Sequence, residues 1–265
     1  MMSSELDLPE DLKTNRPGEL RNFMSCVLES CPGPVMVLVT GSTVHGEMTE
    51  LSDVDGTVFL NFSRRAELDE YRGKFRGLAE EQFGKSTEKK FYEPHWSVFF
   101  YSCEAIRDTD VFARFNGELP ADFTMFNLKE NSLLLYGEER RDEFPVEYRQ
   151  DMIDEWASFA PSYHLKRAEK LAGGKDRIRA CYALSRSILQ TTRVMVWKEA
   201  KCTSSSYSKI VGAYRELGRC ESLPIWALEA REQDFDVPLK KVRDKLKPSN
   251  TFIWSVLREE LYERS

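Results

Sequence analysis

Residues 35–60 contain two apolar, β-branched runs, Val35 to Thr40 and Val54 to Leu60, parted by Gly41-Ser42, a ten-residue spacer that ends at Ser52, and Asp53. Runs of this length and composition form buried strands, and a spacer this short keeps them neighbours in one sheet. The period of two along a strand sends Asp53 and Asp55 to the same face. Two carboxylates about 6–7 Å apart repel each other, a cost relieved by a hard divalent cation that takes oxygen ligands, with Mg²⁺ as the natural choice.

Gly41-Ser42 adds the complementary half of the chemistry. A strand that breaks at glycine turns tightly and presents backbone N–H groups and a serine hydroxyl to phosphate oxygens. Metal and triphosphate would then share one pocket, the setting for in-line displacement at phosphorus.

Gly41-Ser42, the spacer with Gly46, and Ser52-Asp53-Val54-Asp55 together resemble the signature of the DNA polymerase β-like nucleotidyltransferase superfamily, in its minimal and aminoglycoside-type branch. The resemblance implies a metal-dependent enzyme that uses ATP or another nucleoside triphosphate, with Asp53 and Asp55 as metal ligands and Gly41, Ser42 and Ser52 on the nucleotide. Gly56 departs from the pattern, standing where the family carries a bulky apolar residue, and is expected to weaken strand packing.

The family places a third carboxylate on the next strand. Here the candidate strand is Trp96 to Tyr101, preceded by Glu93-Pro94-His95. Glu93 is the carboxylate assigned to that role, if the strand runs through Pro94, which an interior strand position disfavours. His95 is the alternative base, since imidazole titrates near neutrality. A true equivalence with Ser97 would leave the third acid missing.

Size and composition suit a globular protein of one large or two modest domains: 265 residues, 41% hydrophobic and 12% aromatic. The longest apolar runs fall far short of the roughly 20 residues a membrane helix needs, and the N-terminus lacks a basic start followed by an apolar stretch. A cytoplasmic protein with no membrane partner is expected. Cys26, Cys31, Cys103, Cys181, Cys202 and Cys220 lack paired spacing, which argues against zinc or a disulfide framework. A net charge of −6 argues against nucleic acid as a broad electrostatic partner.

The chain divides into an α+β first domain over 1–140 and an all-helical bundle over 141–265. A helix from Pro17 stops at Cys31-Pro-Gly-Pro34, and another covers 64–83. Apolar residues recur at helical spacing through 119–136, 149–171, 176–200, 207–218 and 250–262. Leu133-Leu-Leu-Tyr136-Gly137 reads as a buried helix end with a glycine cap, and resembles the junction between the two halves in aminoglycoside adenylyltransferases.

The second half resembles the C-terminal domain of those enzymes through Ser187 to Trp197, Ser208 to Tyr214 and Trp226 to Arg231. The resemblance implies that Arg193 and Lys209 reach nucleotide phosphates. Lys209 follows a serine run suited to capping a helix whose N-terminus favours anions. Glu118, Asp151, Asp154, Glu155 and Trp156 are available to a cationic acceptor such as an aminoglycoside, although a solvated charged face is the commoner explanation of such residues. The acceptor could instead be a protein or an RNA end, and a degenerate, non-catalytic nucleotide sensor is the remaining alternative.

Overall fold

A computed structural model describes residues 8–9, 12–62, 64–88, 93–116, 120–219 and 222–261; Glu118 and Cys220 lie outside these. The chain forms two compact units, Met1–Glu147 and Tyr148–Ser265. Cys26, Cys31, Cys103, Cys181 and Cys202 are free thiols, and among the described residues no helix is long and apolar enough to cross a membrane.

The first unit is built on a four-stranded mixed sheet. Its strands are β1 (Met36–Thr40), β2 (Val54–Leu60), β3 (Trp96–Ser102) and β4 (Leu133–Gly137), in spatial order β3-β2-β1-β4. β1 runs antiparallel to both β2 and β4, whereas β2 and β3 are parallel. Helix α1 (Pro17–Ser30) precedes β1, with proline in its first turn where the missing N–H costs nothing. A single turn, α2 (Ser42–His45), joins β1 to β2, and α3 (Arg65–Glu81) makes the crossover from β2 to the parallel β3. Helices α4 (Thr109–Asn116) and α5 (Ala121–Asn131) follow.

Alternation along the strands divides the residues between two faces. Val37, Val39, Val54, Val58, Leu60, Trp96 and Phe100 join Leu20, Phe23, Val27, Leu68 and Phe75 of α1 and α3 in one buried cluster. On the opposite face Phe59 stacks on Tyr101 at 5.5 Å, and Tyr101 stacks on Phe112 of α4 at 4.4 Å. Phe144, just after β4, completes this layer against Phe59 at 5.8 Å.

The residues 133–137 form a strand, not the end of a helix. Leu133 to Tyr136 carry no helical period of their own, and their backbone completes the ladder on the free side of β1. Gly137 has φ 92°, and a Cβ there would stand 2.1 Å from the Val35 carbonyl oxygen, so only glycine closes this edge.

Gly56 also departs from expectation, because the space it leaves is filled. A Cβ on Gly56 would meet the Phe23 ring at 2.3 Å, and Phe23 in turn packs edge-on against Phe75 and Trp96 at 5.8 and 5.6 Å. The bulk the strand lacks is supplied by α1.

Beside this cluster, Glu19 of α1 accepts from Lys85 Nζ at 2.7 Å, from the Trp96 indole at 3.3 Å and from Arg16 at 3.4 Å. Burial opposes its ionisation, but these donors and their charge outweigh it and hold the carboxyl below the ordinary glutamate range.

The second unit packs α6 (Gln150–Ala157), α7 (Ala160–Gly173), α9 (Tyr207–Glu216), α10 (Ser222–Glu232) and α11 (Leu239–Leu261) against α8 (Arg177–Ala200). α8 is buried on most sides, through Ala180, Leu184, Ile188, Leu189, Val194 and Trp197. Three of its interior hydroxyls find carbonyls: Ser187 donates to the Pro161 carbonyl of α7 at 2.6 Å, and Thr191 and Thr192 to carbonyls one turn back at 2.9 Å. Asp176 caps α8 by accepting from the Arg179 N–H at 3.1 Å. α11 begins well before residue 250 and runs through Pro248 without ending.

Two stability measurements check this account. Gly56→Ala should lose about 1–3 kcal/mol in urea unfolding through overpacking, with Phe23→Leu in the same chain recovering part of the loss. Glu19→Gln should lose about 1–2 kcal/mol at neutral pH. Because the folded-state pKa of Glu19 is depressed, its stabilisation is present above the unfolded-state value and disappears as pH falls through the folded one. The gap between wild type and Glu19→Gln should therefore close on acidification.

Candidate active site

β1 ends at Thr40, opposite Asp55 of β2. The next residue, Gly41, has φ 72° and ψ −150°, a region open in practice only to glycine. The direction its side chain would take leads to an acid: a Cβ there would lie 3.4 Å from Asp55 Oδ2. The Gly-Ser bend and the second aspartate are thus close neighbours. Ser42 opens the single turn of α2, which closes at Gly46 with φ 69° as its N–H donates to the Ser42 carbonyl. Gly46 admits the N-terminal segment as well, a Cβ there falling 2.2 Å from the Lys13 carbonyl oxygen.

Ser52 is buried, and its hydroxyl accepts from the Thr49 N–H at 2.8 Å and hydrogen-bonds the Thr49 hydroxyl at 3.0 Å. This closes the turn that delivers Asp53 to the sheet. Val54 is fully buried in the α1–α3 layer, so its neighbours Asp53 and Asp55 project to the other face, where both are half-buried.

The parallel register brings β3 alongside. Val54 pairs with Trp96 and Asp55 with Ser97, and the Val54 N–H donates to the His95 carbonyl at 3.1 Å. His95 therefore stands beside Asp53. Its Nδ1 lies 2.7 Å from Asp53 Oδ1, and its backbone N–H donates to the same oxygen at 3.2 Å. Burial works against a charged imidazole, but the hydrogen bonds to Asp53 and to the Glu93 carbonyl, with the charges of Asp53 and Asp55, outweigh it and raise the His95 pKa above its ordinary value.

β3 begins after Pro94, not through it, as the missing N–H of proline dictates. Glu93 consequently lies in a bend ahead of the strand, half-buried, with its carbonyl 3.0 Å from His95 Nδ1. Beside the aspartates stand His95, just ahead of β3 and bonded to Asp53, and Ser97 of β3, paired with Asp55. Among the described residues no three His, Cys, Asp or Glu side chains gather as a metal site. Two carboxylates on one face nevertheless fit Mg²⁺, which commonly takes one or two protein carboxylates and completes its shell with water and substrate phosphates.

In the second unit, Arg193 of α8 stacks over the Trp197 ring at 4.6 Å and near Trp156 at 5.5 Å. Burial pushes its pKa down to about 10, which still leaves it charged at neutral pH. Lys209 is exposed in the first turn of α9, where Ser206 caps the helix by accepting the Lys209 N–H at 3.3 Å. Arg231 of α10, absent from the sequence-based site, lies over the Tyr207 ring at 5.0 Å at the start of α9. Of the acids offered to a cationic acceptor, Asp154 pairs with Lys198 at 2.6 Å and Asp151 with Arg149 at 3.1 Å.

Gly41→Ala should cost about 1–3 kcal/mol in urea unfolding, from the forbidden backbone region alone.

Residues 20–108 match the family described as "Nucleotidyltransferase domain". No curated protein matches the chain. Among solved structures, the spectinomycin adenyltransferase AAD(9) from Enterococcus faecialis, crystallised with ATP and spectinomycin, aligns over 91% of this chain and 99% of its own, with a TM-score of 0.54 and 12% identity. That likeness establishes the shared fold, while the matched segment contains the Gly-Ser bend, both aspartates and His95. Residues 20–108 thus carry the match to the nucleotidyltransferase domain, in a chain that shares the fold of an adenyltransferase.

Proposed function

We propose that this enzyme moves a nucleoside monophosphate, AMP from ATP, to a hydroxyl of a small polar molecule such as an aminoglycoside, and that it does so with a divalent metal. The observation that carries this reading is the position of Asp55, paired with Thr40 where β1 breaks at the Gly41 bend, on the face Asp53 shares. The fold shared with an adenyltransferase solved with ATP and spectinomycin supports the choice of nucleotide and acceptor class.

In this reading Asp53 and Asp55 hold the metal, Mg²⁺, which when bound neutralises phosphate charge and aligns the reacting oxygens. Gly41 and Ser42 receive phosphate oxygens, and Ser52 contributes by closing the turn that sets Asp53. Arg193 and Lys209 supply positive charge to the triphosphate. Glu93 takes the proton of the acceptor hydroxyl as its oxygen attacks the α-phosphorus. The bond from that phosphorus to the bridging oxygen breaks, and pyrophosphate leaves.

Release of pyrophosphate from ATP and Mg²⁺, measured across a panel of aminoglycoside and other polyhydroxyl acceptors, tests the proposal. Wild type should turn over with at least one acceptor, and Asp53→Asn with Asp55→Asn should abolish release in a folded protein. Glu93→Gln should slow turnover about 10²–10⁴-fold. Lys209→Ala should raise the KM for ATP about tenfold, equivalent to about 1.4 kcal/mol. ATP binding without release in the presence of every acceptor would instead favour a sensor, and turnover persisting in the double aspartate variant would overturn the mechanism.

A further inference from the structure

His95 touches several parts of the candidate site at once. Its Nδ1 faces two oxygens, Asp53 Oδ1 at 2.7 Å and the Glu93 carbonyl at 3.0 Å. Both are acceptors, so Nδ1 carries the hydrogen and donates it. The backbone N–H of His95 gives a second hydrogen bond to the same Asp53 oxygen, and its carbonyl takes the N–H of Val54. One residue, 6% exposed, thereby ties the Glu93 bend, the Asp53 carboxylate and the first rung of the β2–β3 ladder together.

An aspartate side chain has two freely turning bonds, and a ligand that must be ordered when its metal arrives loses affinity to that freedom. Two donors converging on Oδ1 remove the freedom and leave Oδ2 as the carboxylate oxygen available to a cation. From this geometry we infer that His95 is a positioning residue: it clamps Asp53 as a preset one-oxygen ligand and fixes the Glu93 bend beside it. The inference rests on the metal reading of Asp53 and Asp55. Partners that orient a metal's ligands in this way typically change its affinity by 10–100-fold when removed.

Mn²⁺ provides the probe, titrated into the full chain with ATP present and followed as free Mn²⁺ by electron paramagnetic resonance. His95→Leu fills the buried space without a donor and should weaken Mn²⁺ binding by about tenfold or more. His95→Asn sets an amide N–H near the place of Nδ1 and should stay within about threefold of wild type, a rescue that a purely space-filling role would not produce. Thermal unfolding without metal reports whether each variant folds. Should His95→Leu fail to fold, His95→Gln, whose amide sits one bond further out, replaces it with the same expected loss. Wild-type Mn²⁺ affinity in the donor-free variant, or equal losses in it and in His95→Asn, would overturn the clamp while leaving the metal reading standing. If wild type itself holds Mn²⁺ no better than Asp55→Asn, the metal reading falls and takes the clamp with it.

Discussion

The pairing of Thr40 with Asp55 is the constraint on which the rest of the candidate site depends. It fixes where the first motif strand breaks relative to the acid on the second, and the backbone of Gly41, at φ 72°, makes the break. Antiparallel register is set by buried side chains: a slip of one residue would turn Val37, Val39, Val54 and Val58 out of the α1–α3 layer. The core therefore enforces the geometry of the site, and Phe23 filling the space above Gly56 is part of that enforcement.

A second register, between β2 and the parallel β3, decides which side chains accompany the aspartates. It sets His95 beside Asp53 and Ser97 beside Asp55, while Pro94 keeps Glu93 ahead of the strand. The carboxylate pair is consequently flanked by a donor that orders it. Anchoring of β3 is reinforced from the opposite face, where the Trp96 indole donates to Glu19 of α1.

Much of this was legible in the chain itself. The two motif strands, the helix from Pro17, the α3 crossover and the capped start of α9 all follow from local period and punctuation. What escaped reading depends on residues far apart in sequence. Leu133 to Tyr136 is an apolar run without a period, and only the open side of β1 makes it a strand. Gly56 looked like a packing defect because Phe23 lies on another element. The bond from His95 to Asp53 spans 42 positions and appears only once β2 and β3 are in register. Arg231 meets Tyr207 through the packing of α9 and α10, which no single-helix pattern reveals.

The place of β4 has a practical consequence. The family match ends at residue 108, yet the sheet that carries the aspartates is completed by residues 133–137. A fragment cut at the end of the match would strip β1 of its outer partner and leave the N–H and C=O groups of one side of an apolar strand unsatisfied. Such bare edges template pairing between chains, so the excised piece would be prone to aggregate. The physical domain extends through Glu147, where the first compact unit ends.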